Sequence, residues 1–433
     1  MLGRIVALML APVVATAIWV ASATAQPAQP PTLPKVTVEE GRLTDDRTRT
    51  TEEAKEEIQR VPGGVEIVPQ QKIEEGRAAN LKDALDFIPG VMVRSRFGAA
   101  DESQLSIRGS GLRNNFHLRG INVLIDGFPY GQADGFSDFE ALELLVTKRI
   151  EIYKGANALR FGGNTLGGAI NLVTKTGRDA GLVEMRTEAG SFGFLKNYLG
   201  TGQVYGPFDI YVGLSDTELN GYRDWADQLR RRAFLATGYA LPGGTTLRLD
   251  LQFVRNEERL PGSLTRQEFD KDPTKADPTN VAQRAARNYD YTRGAFTLRT
   301  PLTETQVIEW ATQLNYQDLH HPLSFAIIDD TTYAWSMEIR YIVVAPLFGH
   351  GNRFTVGFQY FDTRQNDANF QNNLGNKGAL TKNQINMANN FGLYAENQLD
   401  ITPLWARAGR RGTGASPGTC RSSTSSCGTR SRT

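Results

Sequence analysis

Cysteine is almost missing from this chain. Cys420 and Cys427 are the only two, both in the last stretch, so the body of the protein has neither a disulfide nor thiol chemistry. Histidine is scarce as well: His117, His320, His321 and His350. Adjacent His320 and His321 point to opposite faces of a strand, so only a loop could make them ligands together, and no metal site is read from them. No charge excess exists, with 48 basic against 47 acidic residues, which argues against a nucleic-acid partner held by phosphate attraction. Beyond the N-terminus no run is apolar enough to cross a membrane as a helix, and mean hydropathy is −0.37. Those absences leave a soluble periplasmic protein, or a β-barrel whose alternating strands escape hydropathy. Catalytic arrangements are missing too. No Ser-His-Asp, Cys-His or paired-carboxylate pattern stands out. Gly109 to Asn114 lacks the last glycine of a dinucleotide fingerprint, and Gly162 to Ala169 lacks the end of a P-loop. The chain is not read as an enzyme, and no cofactor is implied.

What is present begins at Arg4, a basic start followed by the apolar run Ile5 to Val20 and then Ala23-Thr24-Ala25. Residues 1–25 read as a secretory signal peptide cleaved before Gln26. Residues 26–60 open with Pro, Gln and Ala, continue with charges and show no apolar periodicity, so they read as a flexible arm. One β-branched island interrupts the arm, Val36-Thr37-Val38, suited to adding as a strand to a partner's sheet edge.

Residues 61–177 read as a small α+β domain with Gly-rich turns. Its predicted elements are a strand from Val65 to Val68, a helix from Asn80 to Leu85 ending at Pro89-Gly90, and strands at Val91–Val93, Leu105–Arg108, Val123–Asp126, Ile150–Lys154 and Ala169–Val173. Residues 178–404 change character, with about ten runs of period-two alternation. Phe208, Ile210, Val212 and Leu214 face one way and Asp209, Tyr211, Gly213 and Ser215 the other; Leu247, Leu249, Leu251 and Phe253 alternate with Arg248, Asp250 and Gln252. One apolar and one polar face per strand suit a barrel bathed in lipid around a wet lumen. Leu241 to Gly244 reads as a short turn on one rim, and Asn256–Tyr289 and Phe361–Asn386 as long loops on the other, with the last strand starting at Asn389. Residues 405–433 break the pattern. Arginines, Gly, Ser and Thr without acidic partners or alternation read as an unstructured tail that forms no strand, either a reading-frame error or a genuine disordered end.

Several blocks of the α+β domain stand in a distinctive order: Leu105-Ser106-Ile107-Arg108-Gly109-Ser110-Gly111, Phe116-His117-Leu118-Arg119-Gly120-Ile121, Val123-Leu124-Ile125-Asp126-Gly127, Arg149-Ile150-Glu151-Ile152-Tyr153-Lys154-Gly155, and Thr165-Leu166-Gly167-Gly168-Ala169-Ile170-Asn171. In this order they resemble the plug domain of TonB-dependent outer-membrane receptors. The resemblance implies an α+β plug followed by an antiparallel transmembrane β-barrel of about 22 strands, of which this chain supplies about ten, so the barrel is incomplete. It implies a TonB box at Val36, Thr37 and Val38, and a charge network tying plug to barrel wall, for which Arg108, Arg119 and Glu151 are the candidates. It places the loops carrying Arg96, Phe97, Tyr130 and Gln132 at the plug apex, where an arginine and aromatic rings suit an anionic chelate. The expected partners are TonB with its inner-membrane energising complex, outer-membrane lipid, and a ferric siderophore or ferric citrate. Another scarce ligand such as cobalamin, and a truncated non-functional fragment, are the alternatives within this reading. A passive porin or adhesin barrel needs neither the plug blocks nor the Val36–Val38 segment.

Small residues at Ala23 and Ala25 fit the subsites of signal peptidase, so the mature protein is expected to start at Gln26. Intact-mass measurement of protein from the cell envelope checks this; retention of Met1 to Ala25 would contradict a secreted chain.

Overall fold

The computed structural model describes residues 47–59, 61, 63–94, 104–111, 117–162, 164–399 and 408–412. The signal peptide, the Val36-Thr37-Val38 island, Arg96, Phe97, Cys420 and Cys427 lie outside the described residues. The chain divides into Met1–Arg42 and Leu43–Thr433, and everything described belongs to the second unit.

Helix α1 (Thr51–Gln59) opens it, on ground expected to be flexible. The correction has a local cause. Thr50 Oγ1 accepts from Glu53 N while Glu53 Oε2 accepts from Thr50 N, a reciprocal cap. Ala54 and Ile58, one turn apart, are the buried face. The arm is therefore shorter than residues 26–60.

The α+β domain follows, with β1 (Val65–Pro69), α2 (Gln70–Glu75), α3 (Leu81–Leu85), β2 (Val91–Arg94), β3 (Gln104–Ile107), β4 (Ile121–Ile125), β5 (Phe128–Pro129), β6 (Thr147–Lys154) and β7 (Gly168–Thr174). Asn80 and Asp83 form a capping box at the start of α3. Five strands pair in the order β1-β6-β7-β4-β5, with β4 and β7 parallel, and β2 and β3 form a separate hairpin. Gly168 is where β7 can start so close to β6: a Cβ there would lie 2.5 Å from the Tyr153 carbonyl oxygen, and its φ of +155° suits glycine. Every residue of β6 is buried, including Lys148, Arg149, Glu151 and Lys154. A buried charge must be paired. Lys148 meets Asp179, Arg149 meets Glu151, and Lys154 meets Glu66.

An eleven-stranded antiparallel sheet curves beside this domain in strict sequence order: β8 (Glu184–Ala189), β9 (Leu195–Tyr205), β10 (Phe208–Leu219), β11 (Gln228–Ala240), β12 (Thr246–Arg259), β13 (Ala286–Thr303), β14 (Gln306–Pro322), β15 (Ile327–Val344), β16 (Asn352–Asn373), β17 (Asn376–Leu399) and β18 (Ala408–Gly412). Among the described residues no pairing joins β8 to the far edge, so the sheet is a partial barrel. Its burial is inverted relative to a soluble sheet. Asp250 and Arg293 are fully buried, whereas Phe253 is 43% and Leu314 54% exposed. The polar face turns inward and the apolar face outward, as lipid requires.

Three expectations need correction. Phe361–Asn386 is not a loop: β16 and β17 run 22 and 24 residues around a tight turn at Asn373–Asn376. Its polar composition hid the strands, because the amides bond across the ladder. Gln365 donates to Asp330, Asn386 to Gln365, and Thr381 to the Asn369 carbonyl. The hairpin tip is pinned by Asn372, which donates to the Gln283 and Leu323 carbonyls. The loop expected from Asn256 to Tyr289 is bounded instead by Arg259 and Ala286 and holds two short helices, α4 (Arg266–Lys271) and α5 (Pro278–Ala282). Last, Ala408–Gly412 does form a strand, pairing with Ala395–Leu399, where none was expected beyond Trp405. An edge strand presents unpaired N–H and C=O groups, and backbone alone can answer them whatever the side chains.

Candidate functional site: the interface of inner domain and wall

The segment between β5 and β6 is apolar except for carboxylates, Phe139-Glu140-Ala141-Leu142-Glu143-Leu144-Leu145-Val146, and it lies buried against the wall. Three neighbouring strands each present one donor to Glu143. Lys196 Nζ on β9 donates to Oε1 at 2.8 Å; Ser215 Oγ on β10 and Arg232 Nη1 on β11 donate to Oε2 at 2.7 and 3.1 Å. The wall also answers the segment's backbone. Arg232 donates to the Glu140 carbonyl and Gln252 to that of Ala141, while Lys196 also donates to the Ala78 carbonyl, ahead of α3. Burial by itself would push the Glu143 carboxyl up, but Lys196 and Arg232 outweigh it and hold it at about 2. Glu140 goes the other way: burial and the nearby Asp138 push it well above the usual carboxylate range, against the pull of Arg287.

A second tie lies where the arm enters. Arg47 is buried and grips both bodies. Its Nη1 and Nη2 donate to Asp250 on β12 at 2.5 and 3.0 Å, its Nη2 to Thr174 Oγ1 at 2.8 Å, and its Nε lies 3.2 Å from Asp126 Oδ1. Asp126 is itself fixed by Thr174, whose N and Oγ1 donate to it at 2.9 and 2.8 Å. Glu57 of α1 pairs with Arg353 on β16 at 3.1 Å. Toward the opposite rim, Arg287 on β13 pairs with Asp138 and lies 3.5 Å from Glu140.

Among the described residues no bond joins Arg108, Arg119 and Glu151 to one another. Arg108 sits at φ +50° in the turn after β3, and both it and Arg119 are exposed. Glu151 is buried in a different set, accepting from Arg149 at 2.8 Å and from Tyr153 and Asn171 at 3.1 Å. The true ties were missed because Glu143 reads as a minor interruption of an apolar run. Lys196, Arg232 and Asp250 occupy the polar phase of alternating strands, and that phase was the available signal.

Near the rim of the long loops, an open crevice of about 390 Å³ lies between domain and wall. Gln132 lines it. Tyr130 is buried beneath it: its hydroxyl donates to the Asp138 carbonyl and its ring stacks 6.5 Å from Phe139. Tyr130 therefore builds the crevice and does not present a free face. The apex loop is held to the wall, with Ala133 N donating to Thr363 Oγ1 at 2.9 Å and Asn390 Nδ2 to the Ala133 carbonyl at 2.6 Å.

Residues 57–169 match the family model of the TonB-dependent Receptor Plug Domain. The ferric citrate transporter FecA, solved in its unliganded form, superposes on 80% of the chain with a TM-score of 0.67 at 17% identity. The inner domain is similar in sequence to that plug, and the described chain is similar in fold to part of such receptors. The ferric-catecholate import receptor Fiu of Escherichia coli K12 in its open form gives a TM-score of 0.62 at 16% identity over 79% of the chain. Among sequence relatives, the vitamin B12 transporter BtuB of Vibrio cholerae is 33% identical over 112 residues, 26% of the chain. The metal-pseudopaline receptor CntO of Pseudomonas aeruginosa is 26% identical over 263 residues, 57% of it. The chain spans only part of each: 17% of BtuB, 35% of CntO, and 55% of the FecA chain.

Glu143 is held below its ordinary value, so its contribution to plug docking is fully present above about pH 4.5 and is lost as pH falls toward about 2. Limited proteolysis across that range is expected to find the plug protected above the window and progressively cut within it. Glu143→Ala, which strands Lys196 and Arg232 without a counter-charge, is expected to weaken docking by about 3–5 kcal/mol at neutral pH. A variant as protected as the parent would contradict the tie.

Proposed function

We propose that this chain is part of a TonB-dependent receptor that imports a metal-bearing chelate, a ferric siderophore or ferric citrate, across the outer membrane with energy drawn from the inner membrane. In this reading Met1 to Ala25 directs secretion. TonB adds a strand to Val36-Thr37-Val38 and pulls. The ligand docks at the apex through Arg96, Phe97 and Gln132, with Tyr130 supporting them from below. No bond in the ligand is made or broken.

The observation that carries the reading is the grip of Arg47. It stands just after the arm and is bonded at once to the plug turn and to the wall. A force arriving along the arm therefore reaches plug and wall at a buried ion pair. Such a pair is costly to lose one partner from, but it can re-form with water or a new partner once displaced. The names of FecA, Fiu and CntO favour a metal chelate as cargo. The likeness to BtuB covers 26% of the chain and carries no ligand assignment of its own.

Val36→Pro removes a backbone donor from the strand to be added and changes no residue of the proposed ligand site. Uptake and surface binding of a labelled ferric chelate, measured separately in cells, are expected to split: uptake abolished, binding retained. Unimpaired uptake would place the coupling segment elsewhere.

A further inference from the structure

The crevice near the rim of the long loops differs from the rest of the plug–wall interface in its charge. No Lys, Arg or His is among the described residues that line it. Its wall side is formed by Tyr289 and Tyr291 on β13, Asn315 and Gln317 on β14, and Ala334 on β15. Tyr291 stands opposite Gln317 in one row, and Asn315 opposite Ala334 in the next. On the plug side Asp138 is the one charged residue of the lining, and its charge is answered. Arg287 and Gln317 both donate to its Oδ2.

Four side chains of this lining carry a polar atom with no hydrogen-bond partner among the described residues: the Tyr289 and Tyr291 hydroxyls, Asn315 Oδ1 and Asp138 Oδ1. Tyr289, Tyr291 and Asn315 are buried, and the Asp138 side chain is 8% exposed. Buried polar atoms normally find a partner, so four in one crevice mark a site shaped for a solute that brings donors and acceptors together. The set defines that solute. The Asn315 and Asp138 oxygens only accept, whereas the two phenols donate or accept. A hydroxyl group does both, so neighbouring hydroxyls on one small ring can meet all four. The Tyr291 ring is already positioned, 6.2 Å from that of Tyr130, whose own hydroxyl donates to the Asp138 carbonyl. Charged groups fit poorly. A carboxylate would enter beside Asp138 with no basic side chain on the lining, and an ammonium would find Asp138 already paired with Arg287. The volume, about 390 Å³, is at the small end of ligand pockets, which run roughly 300–1,000 Å³, so the crevice takes one small unit of a cargo and not a whole chelate.

We propose that the crevice is a subsite for an uncharged, hydroxyl-rich unit the size of a sugar ring, held by Tyr289, Tyr291, Asn315 and Asp138, and that it rejects carboxylates. The inference rests on the import reading and narrows its cargo. A chelate that presents an uncharged hydroxylated arm fits this site; ferric citrate, with carboxylates at its surface, does not.

The test uses small probes, because recognition by four generic donors and acceptors does not require the whole cargo. The full chain is purified in a zwitterionic detergent that carries no sugar. Saturation-transfer NMR is recorded with the methyl α-glycosides of glucose, galactose and mannose, with citrate, and with putrescine. At least one glycoside is expected to bind in the millimolar range, with neither citrate nor putrescine displacing it. Tyr291→Phe, which removes one oxygen and keeps the ring packed on Tyr130, is expected to weaken binding about fivefold or more. Asn315→Leu is expected to do the same, and Arg266→Ala, on the exposed face of α4, to change nothing. The Phe variant keeps the comparison available where the Leu variant does not fold. Saturation of none of the three glycosides, binding indifferent to Tyr291→Phe, or citrate binding that Tyr291→Phe weakens would overturn the subsite. Those outcomes would leave import standing, because uptake and coupling are read separately through Val36→Pro.

Discussion

Charge buried inside a sheet whose other face meets lipid is the constraint on which the structure depends. The outward face of β9–β17 must be apolar, so polar side chains have only the interior to occupy. An interior that crowded with arginine, lysine and carboxylate is unstable unless each charge is answered. The plug supplies the answers. Glu143 meets Lys196 and Arg232, Asp138 meets Arg287, and Arg47 meets Asp250. Plug and wall thus each satisfy a cost that the other imposes.

Such an interface combines firmness with release. An apolar core of the same area would hold the plug with no directional handle. Ion pairs hold it at defined points, and each point can be displaced in turn. The placement of the points matters more than their number. One is at the root of the arm, one lies under the middle of the plug, and one is near the rim of the long loops. The first of these also fixes the turn that precedes Phe128, so one buried arginine joins the start of the described chain to the hairpin that packs on the wall.

Much of this was legible in the sequence. The alternation of Phe208 to Ser215 and of Leu247 to Phe253 fixed the inward and outward faces, and the ordered glycine and arginine blocks of residues 105–171 identified the plug. Local signals failed where tertiary partners decide. Thr51–Gln59 has little periodicity, yet it is a helix because Thr50 caps it and Ile58 finds a core. Gln365 to Asn386 looked like loop because amides usually mark loops, whereas here they bond to one another across two long strands. Arg108 and Arg119 drew attention as charges within recognisable blocks, but both stand exposed, and the described partners of Glu151 are Arg149, Tyr153 and Asn171. Glu143 was hidden because no property of an isolated glutamate tells that three strands, remote in sequence, each aim a donor at it.

The central claim is that the plug is held by specific buried charge pairs and not by apolar contact alone. A double-mutant cycle on Glu143→Gln and Lys196→Met, read as the free energy of plug release in denaturant, tests it most directly. Direct pairing predicts that the two losses are strongly non-additive, with a coupling of about 2 kcal/mol or more. Additive losses within about 0.5 kcal/mol would show that the two groups act independently and would contradict the account.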